Sequence, residues 1–287
     1  MYNLVDIGSH TLEVYTKGDG QAIVLLPGLG SSIEEWKNIV DELSNYGRVI
    51  AIHRAGLGKS TVGSEKRSAK ETADDLKLLL EILQVKQPVI LIGHSYGGFC
   101  AQYFSCEHAS FVKSMVLVES SSLEFELLDE VLPQSKQSIN MFKALSTLDS
   151  GSIIDKMNLE SLTEEMKLPE KEKKRLVEFK SNPVMYKAMA EELEEMHKDA
   201  SHLKECAGLT HLPLIVIGRE AEYSVEMMIK QGMVKDTAEM VEEEWQRLIK
   251  NQLKISQNSK YILAEGSYHN VNESNPEDII KSVLSLI

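Results

Sequence analysis

Short apolar runs punctuate this chain at intervals and alternate with longer amphipathic stretches. "AIVLLPGLG", "RVIAIH", "PVILIGHS", "VKSMVLVES", "LPLIVIG" and "KYILAEG" are four to six apolar residues long and end in Gly, Ser, His or a carboxylate. Such runs read as strands buried on both faces of a parallel sheet. "HTLEVYT" alternates apolar and polar residues before the turn signal "KGDGQ", and reads as a half-buried strand. Between the runs the period lengthens. In "SSIEEWKNIVDELSNYG", Trp36, Ile39, Val40 and Leu43 share a helical face, Ser32 with Glu35 forms a capping-box pattern, and Gly47 supplies a stop. "ETADDLKLLLEILQV", "YGGFCAQYFSCEHA", "VEEEWQRLIKNQLKIS" and "NPEDIIKSVLSLI" are helical in the same sense. Strand–helix alternation predicts a parallel sheet joined by right-handed crossovers.

The rhythm breaks between Ser121 and Ala207. No strand-like run occurs there, and segments such as "KEKKRLVEFK" and "YKAMAEELEEMHKDA" are charged and helical. The chain therefore divides into a core, residues 1–120 and 208–287, and a helical insertion, residues 121–207.

In an open parallel sheet, ligands sit at the carboxyl ends of the strands. Those ends carry Gly28-Leu29-Gly30, His53-Arg54, Ser95, Glu119, Glu220 or Glu222, and His269. The most informative of them is Gly93-His94-Ser95-Tyr96-Gly97, a G-x-S-x-G sequence between a strand and a helix. A turn that sharp strains its middle residue, and side chains on the flanking residues would collide, so glycine stands on either side. The Ser95 hydroxyl is held over the sheet edge, and the following helix points its amides and dipole at any anion formed there.

With this nucleophile elbow, a histidine after the last strand and matching loops, the chain resembles the α/β-hydrolases that carry a helical cap. The likeness covers nearly the whole chain and is weakest in residues 121–207. It implies a mostly parallel central sheet flanked by helices, Ser95 as nucleophile and His269, in "AEGSYHN", as the base that takes and returns its proton. Many relatives have a small residue before that histidine; here it is Tyr268. For the acid, most relatives carry Asp after the seventh strand, where this chain reads "IGREAEY" and offers Glu222. Some capped members use the end of the sixth strand, here Glu119, and Glu119 is favoured over Glu222. The family's oxyanion amides map to Tyr96 and to Leu29 in "PGLG". "HRAGLGKS" resembles the family's D-R-x-G-x-G-x-S loop with His53 in place of Asp, a structural loop in which Arg54 braces its neighbours. His94 reads as a packing or hydrogen-bonding residue pointing away from the nucleophile.

The implied activity is a cofactor-independent serine hydrolase acting on a small or medium carboxylic ester through an acyl-enzyme on Ser95. Aminopeptidase, lactonase, haloperoxidase-like and hydroxynitrile lyase chemistry, or non-catalytic ligand binding, stay open on the same scaffold. Serine at position 95 disfavours the aspartate-nucleophile dehalogenases and epoxide hydrolases.

Composition narrows the partners. With 31 Lys and Arg against 44 Asp and Glu, the net charge of −13 argues against nucleic acid. No leader pattern and no apolar run of the roughly 18 residues a membrane helix needs is visible. Cys100, Cys106 and Cys206 lack C-x-x-C spacing, no H-E-x-x-H occurs, and all three read as reduced thiols in a cytoplasmic protein without a metal. His197 and His202 read as solvated, and the methionines Met141, Met157, Met166, Met185, Met189 and Met196 as packing residues of the insertion. The oligomeric state is left open.

Overall fold

The apolar runs become the middle of an eight-stranded sheet: β1 Tyr2–Asp6, β2 Thr11–Lys17, β3 Ala22–Leu26, β4 Arg48–His53, β5 Val89–His94, β6 Val112–Val118, β7 Leu214–Arg219 and β8 Ser259–Ala264. The computed structural model describes residues 1–131, 135–164, 166, 168–206 and 211–287. The strand order is β1-β2-β4-β3-β5-β6-β7-β8. β1 and β2 are antiparallel, as are β2 and β4; every other pairing is parallel. Every residue of β3, β5 and β7 is buried, which is why these strands read as unbroken apolar runs.

Two layers of helix cover the sheet. On one face lie α1 Lys37–Leu43, which contributes Ile39, Val40 and Leu43, and the C-terminal helices, whose buried residues include Ile279 and Val283. On the other lie α2 Ala69–Ile82 and α3 Tyr96–Glu107, with Leu76, Leu79, Leu80, Phe99 and Phe104 in the core. Ser32 and Glu35 do form a capping box, over a 3₁₀ turn (Ile33–Trp36) that precedes α1. The helix stops at Leu43, four residues ahead of the glycine named as its terminator.

Between β6 and β7 the described residues hold helices and no strand: α4 Glu126–Val131, α5 Ser135–Leu145, α6 Ser150–Met157, α7 Leu159–Glu164, α8 Glu170–Lys180 and α9 Pro183–Lys204. The boundary drawn at 207/208 lies outside the described residues. This insertion has its own apolar cluster, with Phe142, Ile153, Phe179, Met185 and Met189 buried in it. Met196 instead joins the sheet core, and Met141 is exposed. After β7 come α10 Ala221–Lys230 and α11 Lys235–Asn251, and after β8 the short α12 Val271–Ser274 and α13 Pro276–Leu284.

Two buried charge clusters clamp the insertion onto the core. Arg54, past the end of β4, donates through Nε to Glu192 Oε1 at 2.7 Å and through Nη2 to Oε2 at 3.0 Å. The same guanidinium donates to the carbonyl of Pro27 at 2.6 Å, so one side chain holds both α9 and the β3 loop. Arg54 is 2% exposed and Glu192 0%. Arg175 of α8 pairs with Glu13 of β2 at 2.8 Å and with Glu34 at 2.5 Å. Burial alone would raise the Glu13 carboxyl, but hydrogen bonds from His53 and Arg175 outweigh it and hold the group down at about 2.

The cysteine reading is corrected here. Cys106, at the end of α3, is joined to Cys206, just past α9, in a disulfide; Cys100 alone is a free, buried thiol. One hundred residues separate the pair, so no local spacing announces it. The packing of α9 on α3 makes the encounter.

Breaking the Arg54–Glu192 pair strands a buried charge. Arg54→Met or Glu192→Leu alone should lower unfolding stability by about 3–5 kcal/mol, and the double variant should recover much of that loss. Urea unfolding followed by circular dichroism measures both.

Candidate active site

Ser95 sits between β5 and α3 with φ 50° and ψ −123°. Few residues other than glycine adopt this region, and the backbone pays for it with strain of about 1–3 kcal/mol, held in place by its surroundings. The surroundings are visible. The Ser95 amide donates to Val118 O at 3.1 Å, and its carbonyl accepts from the amides of Gly98 at 3.0 Å and Ser121 at 3.0 Å. The flanking glycines are required by contact. A Cβ on Gly97 would stand 2.1 Å from Leu26 O, and one on Gly93 2.5 Å from the Gly98 Cα.

The loop after β3 lies directly against this turn: a Cβ on Gly28 would be 3.2 Å from Ser95 Cβ. The amides of Leu29 and Tyr96 donate to no other group among the described residues. Tyr96 also opens a twelve-residue helix, so its amide carries the positive end of the helix dipole.

Glu119 follows β6, is fully buried, and is likewise left-handed with φ 45°. Its Oε1 accepts the Arg219 amide at 2.8 Å; its Oε2 accepts the Trp245 indole N–H at 2.8 Å and lies 3.4 Å from both the Arg219 guanidinium and His269 Nδ1. Arg219 is anchored in turn by Glu242, at 2.6 Å. The Trp245 ring meets the His269 ring edge-on, with centroids 5.4 Å apart. Glu222, the other acid considered, is exposed in the first turn of α10, and the neighbouring Glu220 accepts the Gly266 amide at 2.6 Å. The structure thus brings Glu119 to the histidine and leaves Glu222 outside.

His269 and Ser95 border one polar cavity of about 140 Å³, together with Gly28, Leu29, Lys180 and Asn270. The Ser95 hydroxyl makes no hydrogen bond among the described residues. Lys180 of α8, at the rim, pairs with Glu35 at 3.0 Å and donates to Gly30 O at 2.9 Å.

His94 differs from its expected orientation. It does bond rather than titrate, but it borders the same cavity, and its Nε2 meets the His269 carbonyl at 3.0 Å. That bond requires the N–H on Nε2 and steadies the loop carrying His269. Burial pushes the His94 imidazole down to about 3, reinforced by the nearby His269. His53, in contrast, spends both ring nitrogens on structure: Nδ1 lies 2.8 Å from Glu13 Oε2, and Nε2 accepts the Ile33 amide at 2.9 Å. Sequence reasoning missed Arg219 and Trp245, whose polar tips face the acid from β7 and α11.

A strained serine at a strand-to-helix turn, with a carboxylate after β6 and a histidine after β8 at the same sheet edge, is the arrangement of a nucleophile elbow. The chain belongs to the α/β-hydrolase fold family, whose sequence model matches residues 21–194. An uncharacterized Bacillus subtilis (strain 168) protein, YqjL, is 26% identical over 257 residues, covering 90% of this chain and 79% of its own. Among solved structures, a putative epoxide hydrolase from Pseudomonas aeruginosa superposes with TM-score 0.73 at 17% identity, covering 99% of this chain and 94% of that one. An esterase from Thermogutta terrifontis does so with TM-score 0.66 at 17% identity, covering 99% and 97%. At such identities the structures share the fold.

The His94 shift predicts a pH dependence. Its folded value is below the unfolded value of about 6.5, so neutral His94 stabilises the fold fully above pH 6.5, and that contribution is lost as pH falls toward about 3. Glu13 adds its own loss only below about pH 4.5, its unfolded value, and the other titrating groups are common to wild type and variant, so the difference between the two over pH 5–6.5 isolates His94. Urea unfolding across that window should give a steeper stability slope for wild type than for His94→Asn; equal slopes would count against the assignment.

Proposed function

We propose that this protein is a cofactor-independent serine hydrolase that cleaves small carboxylic esters through an acyl-enzyme on Ser95. One observation carries the reading: the strained Ser95 and His269 share a cavity, with buried Glu119 behind the imidazole. Glu119 accepts the His269 Nδ1–H, which fixes the tautomer and leaves Nε2 as the base. As Nε2 takes the hydroxyl proton, Ser95 Oγ attacks the carbonyl. The Leu29 and Tyr96 amides receive the developing oxyanion. Collapse expels the alkoxide, which takes the proton back from His269. Water, deprotonated by the same nitrogen, then attacks the acyl-enzyme; the Oγ–acyl bond breaks, the acid leaves, and Ser95 Oγ takes the proton from His269.

Serine at the nucleophile position favours acyl transfer over the epoxide opening named for the Pseudomonas aeruginosa neighbour. The cavity is small and polar beside pockets of about 300–1,000 Å³ that take drug-sized ligands. A short acyl chain fits it better than a fatty one. The insertion serves as the cap over this cavity, with Lys180 at its edge. The substrate is a small molecule, and neither nucleic acid nor a membrane surface is a partner of this acidic chain.

A panel of p-nitrophenyl esters of increasing acyl length tests this. Acetate and butyrate should turn over faster than decanoate. Ser95→Ala should reduce kcat/KM by about 10³-fold or more, since the oxyanion amides and binding alone remain. Glu119→Gln should cost about 10²- to 10⁴-fold and Glu222→Gln almost nothing. Unchanged turnover in Ser95→Ala would remove the serine from the chemistry, and the reverse ranking of the glutamates would remove Glu119.

A further inference from the structure

At the opposite end of the helix that begins after Ser95, four side chains with metal-binding atoms come together. Cys106 and Glu107 are adjacent at the C-terminal end of α3. His202 lies in the last turn of α9 and Cys206 just past its end, and both reach the end of α3, His202 through Glu107 and Cys206 through Cys106. His202 Nε2 is 2.6 Å from Glu107 Oε1, and Cys106 Sγ is 3.9 Å from the same oxygen. The donor atoms of Cys106, Glu107 and His202 lie within 4.8 Å of one another, and Cys206 is bonded to Cys106. The buried Tyr103 ring stacks on His202 at 5.2 Å and fixes the plane of the imidazole.

We propose that the reduced form of this cluster is a surface site for a zinc-class divalent cation, with Cys106, Cys206, His202 and Glu107 as its ligands. Two thiolates, one imidazole and one carboxylate are a four-coordinate set of the borderline-soft kind that zinc prefers. The geometry needs little change. Zinc–sulfur bonds of about 2.3 Å in a tetrahedron place two sulfurs about 3.8 Å apart, reached by small rotations of the two cysteines once their bond is open. Glu107 and His202 already face one another, and a cation would take the place of the proton they share.

The disulfide makes the site conditional. A dithiol reductant opens it by exchange: the reductant's two thiols become its own disulfide, and their two hydrogens pass to Cys106 and Cys206 as thiols. The cation then displaces the two thiol protons and binds both sulfurs. Oxidation withdraws both thiolates and leaves one imidazole and one carboxylate, too few to retain the ion. In either state the end of α9 is tied to α3, so the exit from the insertion stays fixed to the helix that begins at Ser95.

Cobalt(II) gives this a direct readout. The protein, reduced with a phosphine and desalted without oxygen, should bind one Co²⁺ per chain. A near-ultraviolet sulfur-to-cobalt band and a visible tetrahedral ligand-field band should appear, and Zn²⁺ should displace both. The oxidised protein should show neither band, and nor should Cys106→Ser or Cys206→Ser. His202→Ala and Glu107→Ala should each weaken binding, by tenfold or more, while p-nitrophenyl acetate hydrolysis stays at the wild-type rate as a check on folding. Absence of the sulfur-to-cobalt band in reduced wild type would overturn the site. So would an equal band in the oxidised protein, or binding unchanged in His202→Ala. The wild-type comparison of the two redox states decides the question even where a variant does not fold.

Discussion

Burial of one carboxylate organises the strand ends around Ser95. Glu119 has no access to water, so its charge is tolerable only with every lone pair engaged. The Arg219 amide, the Arg219 guanidinium, the Trp245 indole and the His269 imidazole supply those partners, drawn from β7, α11 and the loop after β8. Three separate parts of the fold are thereby registered on one side chain. Glu119 also holds a left-handed backbone conformation, one residue past the carbonyl that receives the amide of Ser95, itself left-handed. Strain at two neighbouring strand ends persists because the sheet around them over-determines both.

The insertion is coupled to this centre by charge as much as by apolar packing. Arg54 binds Glu192 of α9 and the carbonyl that precedes the Leu29 loop, so the position of the long helix and the shape of the proposed oxyanion loop are one problem. Met189 of the same helix is close enough to Gly30 that a Cβ there would meet it at 2.8 Å. The disulfide at the far end of α9 pins the other terminus against α3. Substitutions that release Glu192 or Met189 from this loop will therefore be felt at the serine without touching it.

Much of this was legible in the sequence, for definite reasons. Strands covered on both faces must be apolar throughout, and β3, β5 and β7 announced themselves so. The elbow was legible because its glycines answer a steric demand that admits nothing larger. β1 leaves no signal in the sequence, because an exposed edge strand has no apolar face to betray it, and the segment that forms α10 carries no helix prediction. The choice of Glu119 over Glu222 could only be weighed, since both sit near strand ends; burial separates them. Trp245 lies 126 positions from the carboxylate it supports and Arg219 lies 100. Neither partnership leaves a local pattern, and the joining of Cys106 to Cys206 leaves none either.

The central claim is that His269, oriented by Glu119, makes Ser95 a nucleophile. Brief exposure to a fluorophosphonate, followed by proteolysis and mass spectrometry, addresses it directly. The account predicts a single adduct, on the Ser95 hydroxyl, whose formation collapses when His269 is replaced by alanine. An adduct on another residue, or one that forms on Ser95 as fast without the imidazole, would contradict it.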